Sequence, residues 1–168
     1  MRDAGHLLLA TSGSSGKCSF LNSTRGDLEL KKRHWQETLG WPHLRPNKDR
    51  TVFQLGPSRG PNSAIEAAQI GAELWGKPGS IHFLTDEPLK ISEVSAMAAV
   101  RKRMQDGTAT PQEIADIERR GAEQGARMTA ALNQLLDTIL SHRDEPIILT
   151  GMWAQHMAII RRARELGI

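Results

Sequence analysis

Gly16 and Lys17 close a run of small residues, Thr11-Ser12-Gly13-Ser14-Ser15-Gly16-Lys17-Cys18, that directly follows the apolar stretch His6 to Ala10. A strand that delivers the chain into such a loop lets successive backbone N–H groups curl around phosphate oxygens. A lysine at the loop's end then reaches the β- and γ-phosphates, and a hydroxyl at the next position holds Mg²⁺. The pattern for that chemistry is G-x-x-x-x-G-K-[ST]. Gly16 and Lys17 match it and the intervening residues are small. Thr11 stands where the first glycine belongs, and Cys18 replaces the hydroxyl with a thiol, a poor ligand for a hard cation that prefers oxygen. Ser19 could supply the hydroxyl only after a one-residue slip. The alternative reading is a Ser/Gly linker without catalytic importance. If the loop binds phosphate, Ser12, Gly13, Ser14, Ser15, Gly16, Lys17 and Cys18 form the nucleotide-binding stretch.

Such a loop needs a strand before it and a framework of further strands. Four short apolar runs read as strands covered on both faces: residues 6–10, 51–56, 80–85 and 146–151. Each lacks clean alternation and is bounded by Gly, Pro, Ser or charged residues. Helical stretches lie between them. Residues 62–76 open with Ser63 three before Glu66, a capping pattern, and stop at Gly76. Residues 91–107 carry Val94, Met97, Ala98 and Met104 near helical spacing. Residues 110–142 open with Thr110, Pro111 and Glu113, a cap, a first-turn proline and a capping-box partner. Their apolar face runs through Ile114, Ile117, Met128, Leu132, Leu135 and Ile139. Residues 153–168 are expected to be helical, as is the stretch directly after Lys17, where Cys18 to Asn22 can start a helix. Alternation of strands and helices argues for an α/β fold with a mainly parallel sheet flanked by helices. Residues 24–50 read as an irregular, charged excursion with one short helix. Residues 91–142 read as a helical insertion in a single domain spanning 1–168.

Composition limits the remaining classes. The 168 residues fit one domain that buries a real core, and 39% hydrophobic with 24% charged residues is ordinary for a globular protein. A net charge of +3 permits contact with nucleic acid or phosphate without requiring it. The single cysteine excludes an internal disulfide framework and fits a reducing compartment, so a cytoplasmic location is expected. No apolar run approaches the ~18 residues of a membrane span, and no membrane partner is expected. The absence of tyrosine has no physical account. No His-Glu-x-x-His and no cluster with metal-ligand spacing is present. A nucleophilic role for Cys18 would need His6 or His34 as its base, which nothing in the sequence places nearby. The basic runs Lys31-Lys32-Arg33-His34, Arg101-Lys102-Arg103 and Arg119-Arg120 could meet a phosphate backbone, but interspersed acids favour a solvated surface. Arg25-Gly26-Asp27 reads as a chance tripeptide.

The stretch His-Leu-Leu-Leu-Ala-Thr-Ser-Gly-Ser-Ser-Gly-Lys-Cys-Ser-Phe-Leu-Asn-Ser (6–23) resembles the Walker A segment of FtsK/HerA-type DNA-translocating ATPases, including small viral genome-packaging ATPases. The resemblance implies a RecA-like P-loop NTPase core that binds ATP with Mg²⁺, hydrolyses it to act on DNA or RNA, and works as a homo-oligomer. It also implies a Walker B strand, which residues 80–88 supply: Ile81, Phe83 and Leu84 run into Asp86, the Mg²⁺ ligand beside the Cys18 or Ser19 position, and Glu87, the base for the attacking water. With Lys17 these two acids form the implied catalytic set. Thr150 stands where the family usually has a sensor glutamine, and Arg161 and Arg162 are candidates for an arginine finger or, more plainly, a basic helix end. Two alternatives stay open. The order of strand, loop, "FLTDE" and "IILTG" also resembles corrinoid adenosyltransferases, whose loops are richer in Gly and Lys. The missing first glycine and hydroxyl also fit a degenerate nucleotide-binding or scaffold module.

Overall fold

The computed structural model describes residues 5–10, 19–38 and 45–168. In chain order the elements are β1 (His6–Ala10), β2 (Phe20–Thr24), α1 (Arg25–Thr38), β3 (Arg50–Pro57), α2 (Ser63–Trp75), β4 (Gly76–Thr85), α3 (Ile91–Gln105), α4 (Pro111–Ser141), β5 (Ile147–Thr150) and α5 (Trp153–Glu165). The fold is α/β: β4, β3 and β5 form a three-stranded parallel sheet in that order, with helices on both faces.

β3 is central, and its run Thr51-Val52-Phe53 with Leu55 is buried because both faces are covered. On one face Phe53 and Leu55 meet Leu84, Leu135, Leu136, Ile139 and Ile159, the contributions of α4 and α5. On the other, Ile70, Leu74 and Trp75 of α2 gather Leu28, Trp35 and Ile148. The excursion at 24–50 therefore supplies a packed helix. α1 lies on α2, with Trp35 against Trp75 at 6.4 Å between ring centroids and Lys32 Nζ 2.9 Å from Glu73. Gly76 joins α2 to β4 without slack, since a Cβ there would stand 2.5 Å from the Ala72 carbonyl oxygen and 2.7 Å from Ile81 Cγ1.

The two helices expected between β4 and β5 form as read. The Thr110 hydroxyl accepts the Glu113 N–H at 3.2 Å, and Glu113 accepts the Thr110 N–H at 2.9 Å, completing the capping box. Only the C-terminal part of α4 joins the core, and residues 118–127 are all exposed.

Three expectations need correction. The helix expected from Cys18 to Asn22 is replaced, in its described part, by a strand: Phe20–Thr24 runs antiparallel to β1 with Ala10 opposite Phe20. β1 needs a partner for its backbone groups, and the nearest chain provides one. The helix starts at Arg25 because Thr24 and Asp27 cap it. Asp27 Oδ2 accepts from the Thr24 N–H at 2.7 Å, and the Thr24 hydroxyl accepts from the Asp27 N–H at 3.2 Å. Those backbone and hydroxyl bonds hold the Asp27 carboxyl below its ordinary value. Second, β1 does not extend the parallel sheet; it joins the larger body through one parallel bridge, Ala10 to Asn62. Third, the N-cap of α2 is Asn62 rather than Ser63, its Oδ1 accepting from the Ala64 N–H at 2.8 Å.

The amino edge of the sheet carries a polar cluster. Glu145 Oε2 accepts from Lys77 Nζ at 3.0 Å and from the buried Thr51 hydroxyl at 3.2 Å, and His142 Nδ1 stands 3.4 Å from Glu145 Oε1. His82 stacks on Phe53 at 4.9 Å, with His142 5.8 Å away. Burial, then the neighbouring His142, holds the His82 imidazole below its ordinary value of 6.5. The unfolded chain therefore binds this proton more readily, and stability is lost as pH falls through the region of that value. Thermal melts between about pH 7.5 and 5.5 are expected to show a falling midpoint, flattened in His82→Gln. The lowered Glu145 carboxyl, held chiefly by Lys77, adds a second loss at more acidic pH. A melting midpoint independent of pH across the first window would refute the role of His82.

Candidate functional site

The helices that follow β3 and β5 leave on opposite faces of the sheet: α2 packs with Trp35, and α5 contributes Ile159 beside α4. β3 and β5 are neighbours, so their carboxyl ends meet at a topological switch point, the usual ligand position in parallel α/β sheets. The polar residues on this side of the sheet come from β3, β4 and β5 and the turns that follow β3 and β4, and β1 ends beside them.

At the end of β3 the chain runs Gly56-Pro57-Ser58-Arg59-Gly60-Pro61-Asn62 into α2. Backbone bonds tie this loop down: the Ser58 N–H donates to the Thr85 carbonyl at 2.9 Å and the Leu89 N–H to the Arg59 carbonyl at 2.9 Å. Gln69 Nε2 donates to the Ser58 carbonyl at 2.7 Å. Gly60 has φ +156°, and a Cβ there would lie 2.7 Å from Leu89 Cβ and 2.8 Å from Ile65 Cδ1, so only glycine fits. Arg59 is exposed on this fixed loop. The α2 N-terminus behind it offers backbone donors to an anion. Its first-turn acid, Glu66, is buried and paired with Lys31 Nζ at 2.5 Å, which offsets the negative charge.

β4 delivers Asp86 and Glu87. Thr85 stands opposite Pro57, so both acids follow at the level of the β3 loop; both are exposed, and the Glu87 N–H donates to the Thr85 hydroxyl at 3.1 Å. β5 delivers Thr150, whose hydroxyl donates to Gln54 Oε1 on β3. β4 and β5 are two strand spacings, about 10 Å, apart across the sheet, and β5 ends opposite Gln54, three residues short of Pro57 where β4 ends. β1 ends at Ala10, whose N–H donates to the Pro61 carbonyl at 2.7 Å. The chain thus leaves for Lys17 from beside the start of α2.

Ser12, Gly13, Ser14, Ser15, Gly16, Lys17 and Cys18 lie outside the described residues. Ser19 precedes Phe20, the partner of Ala10. Asp86 and Glu87 follow the end of β4, and Thr150 ends β5, on the carboxyl side of the sheet. Arg161 and Arg162 do not join them. They lie about 12 Å along α5 from its start and line a groove of about 260 Å³ between α4 and α5 with Asn133, Leu136 and Glu165. Among the described residues no three His, Cys, Asp or Glu side chains converge as a metal cluster.

Sequence reasoning passed over Gln54, the loop 56–62 and Trp153. Two glycines and two prolines between a strand and a helix were the available signal for the loop. Most of the basic runs are neutralised locally: Lys31 by Glu66, Lys32 by Glu73, Lys102 by Asp106, Arg103 by Glu113 and Arg119 by Asp116 and Glu123.

Fold and edge define a class: a parallel α/β protein with polar strand ends at a switch point. No family model, curated protein or solved structure matches the chain. Among the described residues no helix is long and apolar enough to cross a membrane.

Proposed function

We propose that this chain binds ATP with Mg²⁺ at the carboxyl edge of its sheet and hydrolyses it. The observation that carries the reading is the set of groups on this side of the sheet: Thr150 at the end of β5 bonded to Gln54, the Asp86–Glu87 pair after β4, and Ala10 bridged to Asn62 at the mouth of α2. In this reading the segment leaving Ala10 brings Lys17 to the phosphates, and the amides at the start of α2 add donors. Asp86 supplies a hard oxygen to a Mg²⁺ that arrives on the nucleotide, the pattern in which that ion takes one or two carboxylates plus phosphates. Glu87 activates water, and Thr150 senses the terminal phosphate.

A second reading, binding without turnover, has its own support. α1 does not begin at the end of the small-residue loop, and its N-terminus is already occupied by Asp27. A phosphate held on the loop would therefore lack the helix dipole that usually completes such a site. Action on nucleic acid, and assembly into a homo-oligomer that shares Arg161 or Arg162 between subunits, complete the first reading. The local pairing of the basic runs lends nucleic acid little support.

Titration of Mg-ATP into the parent and Lys17→Ala separates these. Loss of charge-assisted bonds to phosphate is expected to weaken binding about 10- to 100-fold. Turnover, with and without added DNA, then distinguishes hydrolysis from binding. A parent chain that binds no nucleotide would end both readings.

A further inference from the structure

The two most exposed large apolar side chains among those described stand side by side at this same edge. Met152 is 72% and Trp153 76% exposed, immediately after the β5 tip. A single exposed leucine needs no explanation, but an indole with a thioether beside a polar edge is a recognition feature.

The platform is rigidly held although its side chains are bare. Gly151 packs so closely on β3 that a Cβ would lie 2.6 Å from Leu55 Cβ and 3.0 Å from Gln155 Oε1. The Met152 N–H donates to Gln155 Oε1 at 2.8 Å, which fixes the entry into α5. Leu55 itself is 1% exposed and leads directly into Gly56. The Trp153 backbone is thus anchored within two residues of a contact with the strand that leads into the loop before α2. The strand that delivers it, β5, lies two strand spacings, about 10 Å, across the sheet from β4.

We infer that Trp153, with Met152 beside it, is the surface on which a purine base of the nucleotide stacks, its phosphates reaching across the strand tips toward Asp86 and Glu87. This inference rests on the nucleotide reading of the edge. Stacking needs only a π-face, and the larger purine rings cover more of an indole than pyrimidines do. The patch is the wrong size for a protein partner. Two side chains offer a few hundred Å² at most, against ~800 Å² per partner in a stable interface. In the next turn of the chain, exposed Ala154 adds only a methyl group, and the half-buried Gln155 is polar.

The test uses the full chain as parent, Trp153→Ala and Trp153→Phe, titrated with Mg-ATP, Mg-CTP and inorganic tripolyphosphate, with the mass in solution checked for each. The parent is expected to bind ATP more tightly than CTP and tripolyphosphate. Trp153→Ala should weaken ATP roughly 5- to 100-fold, leave tripolyphosphate unchanged and abolish the purine preference, with Trp153→Phe restoring most of it. A parent that binds tripolyphosphate as tightly as ATP overturns the stacking role and leaves the phosphate site standing. So does an alanine variant with unchanged ATP affinity. Equal weakening of ATP and tripolyphosphate would make Trp153 a structural residue instead. A parent dimer that falls apart in Trp153→Ala would identify a second copy as the occupant and overturn the inference. Failure of the parent to bind any of the three ligands ends the nucleotide reading itself.

Discussion

Phe53→Ala is expected to remove about 3–5 kcal/mol of folding stability. Phe53 is fully buried at 0% exposure, at the centre of the middle strand. It ties the sheet to the α4–α5 layer: His82 of β4 stacks on it, Leu149 of β5 pairs with it, and Leu136, Ile139 and Ile159 share its core cluster. Truncation forfeits the transfer free energy of the ring and leaves a void that neither the sheet below nor the helices above can fill without breaking backbone bonds. A domain of this size has ~5–15 kcal/mol in total, so the variant loses a large fraction, and its melting midpoint should fall by roughly 10 °C. Urea unfolding monitored by tryptophan fluorescence measures it: the midpoint moves while the slope stays near that of the parent. Phe53→Leu should lose far less, because most of the volume remains. A loss below about 1 kcal/mol for Phe53→Ala would mean that the core lies elsewhere.

The same strand shows what could be read from residues alone. Val52, Phe53 and Leu55 announce a strand buried on both faces, and the structure places β3 in the middle of the sheet. Thr110, Pro111 and Glu113 mark the start of α4 because a capping box is a local interaction, complete within four residues. β2 was missed because its evidence is not local. Phe20 to Thr24 has little strand propensity, and its pairing with β1 depends on the chain reversing across the small-residue loop. The signal that would have corrected it was present in Thr24-x-x-Asp27, a capping pattern passed over as a chance Arg-Gly-Asp.

The candidate site divides in the same way. Asp86, Glu87 and Thr150 could be located because polar residues ending apolar runs must gather at one edge once the strands are parallel. Ser58, Arg59 and Gln54 gave no such sign. Their importance comes from the order β4-β3-β5, a non-local fact, and from hydrogen bonds to Thr85, Leu89 and Thr150 that tie the loop and the two strands together. Trp153 was equally silent, since exposure of an indole is decided by everything that fails to cover it.

Glu87→Gln is expected to lower ATP turnover by about 10²- to 10⁴-fold, the range for loss of a general base, with Mg-ATP affinity changed by less than about threefold. In the proposed reaction the water oxygen attacks the γ-phosphorus as the bond to the β,γ-bridging oxygen breaks, and the water's proton passes to the Glu87 carboxylate. Glutamine fills the same space and still orients water, but cannot take that proton. The effect should therefore fall on kcat with KM nearly unchanged. Asp86→Asn should behave differently: it weakens the grip on Mg²⁺, so more Mg²⁺ is needed for the same rate. Both acids are exposed in the turn after β4, where the Glu87 N–H rather than its side chain makes the holding bond to Thr85. Substitution there should leave stability within about 0.5 kcal/mol, so an activity loss cannot be blamed on unfolding. The split between the two neighbours is the discriminating result. Equal, Mg²⁺-independent losses in both would make the turn a structural element. Full activity in both, from a parent that turns over ATP, would place the chemistry on other residues of this edge. A parent that binds ATP but never turns it over would select the second reading, a nucleotide-binding module whose small-residue loop ends in a strand and not in a helix.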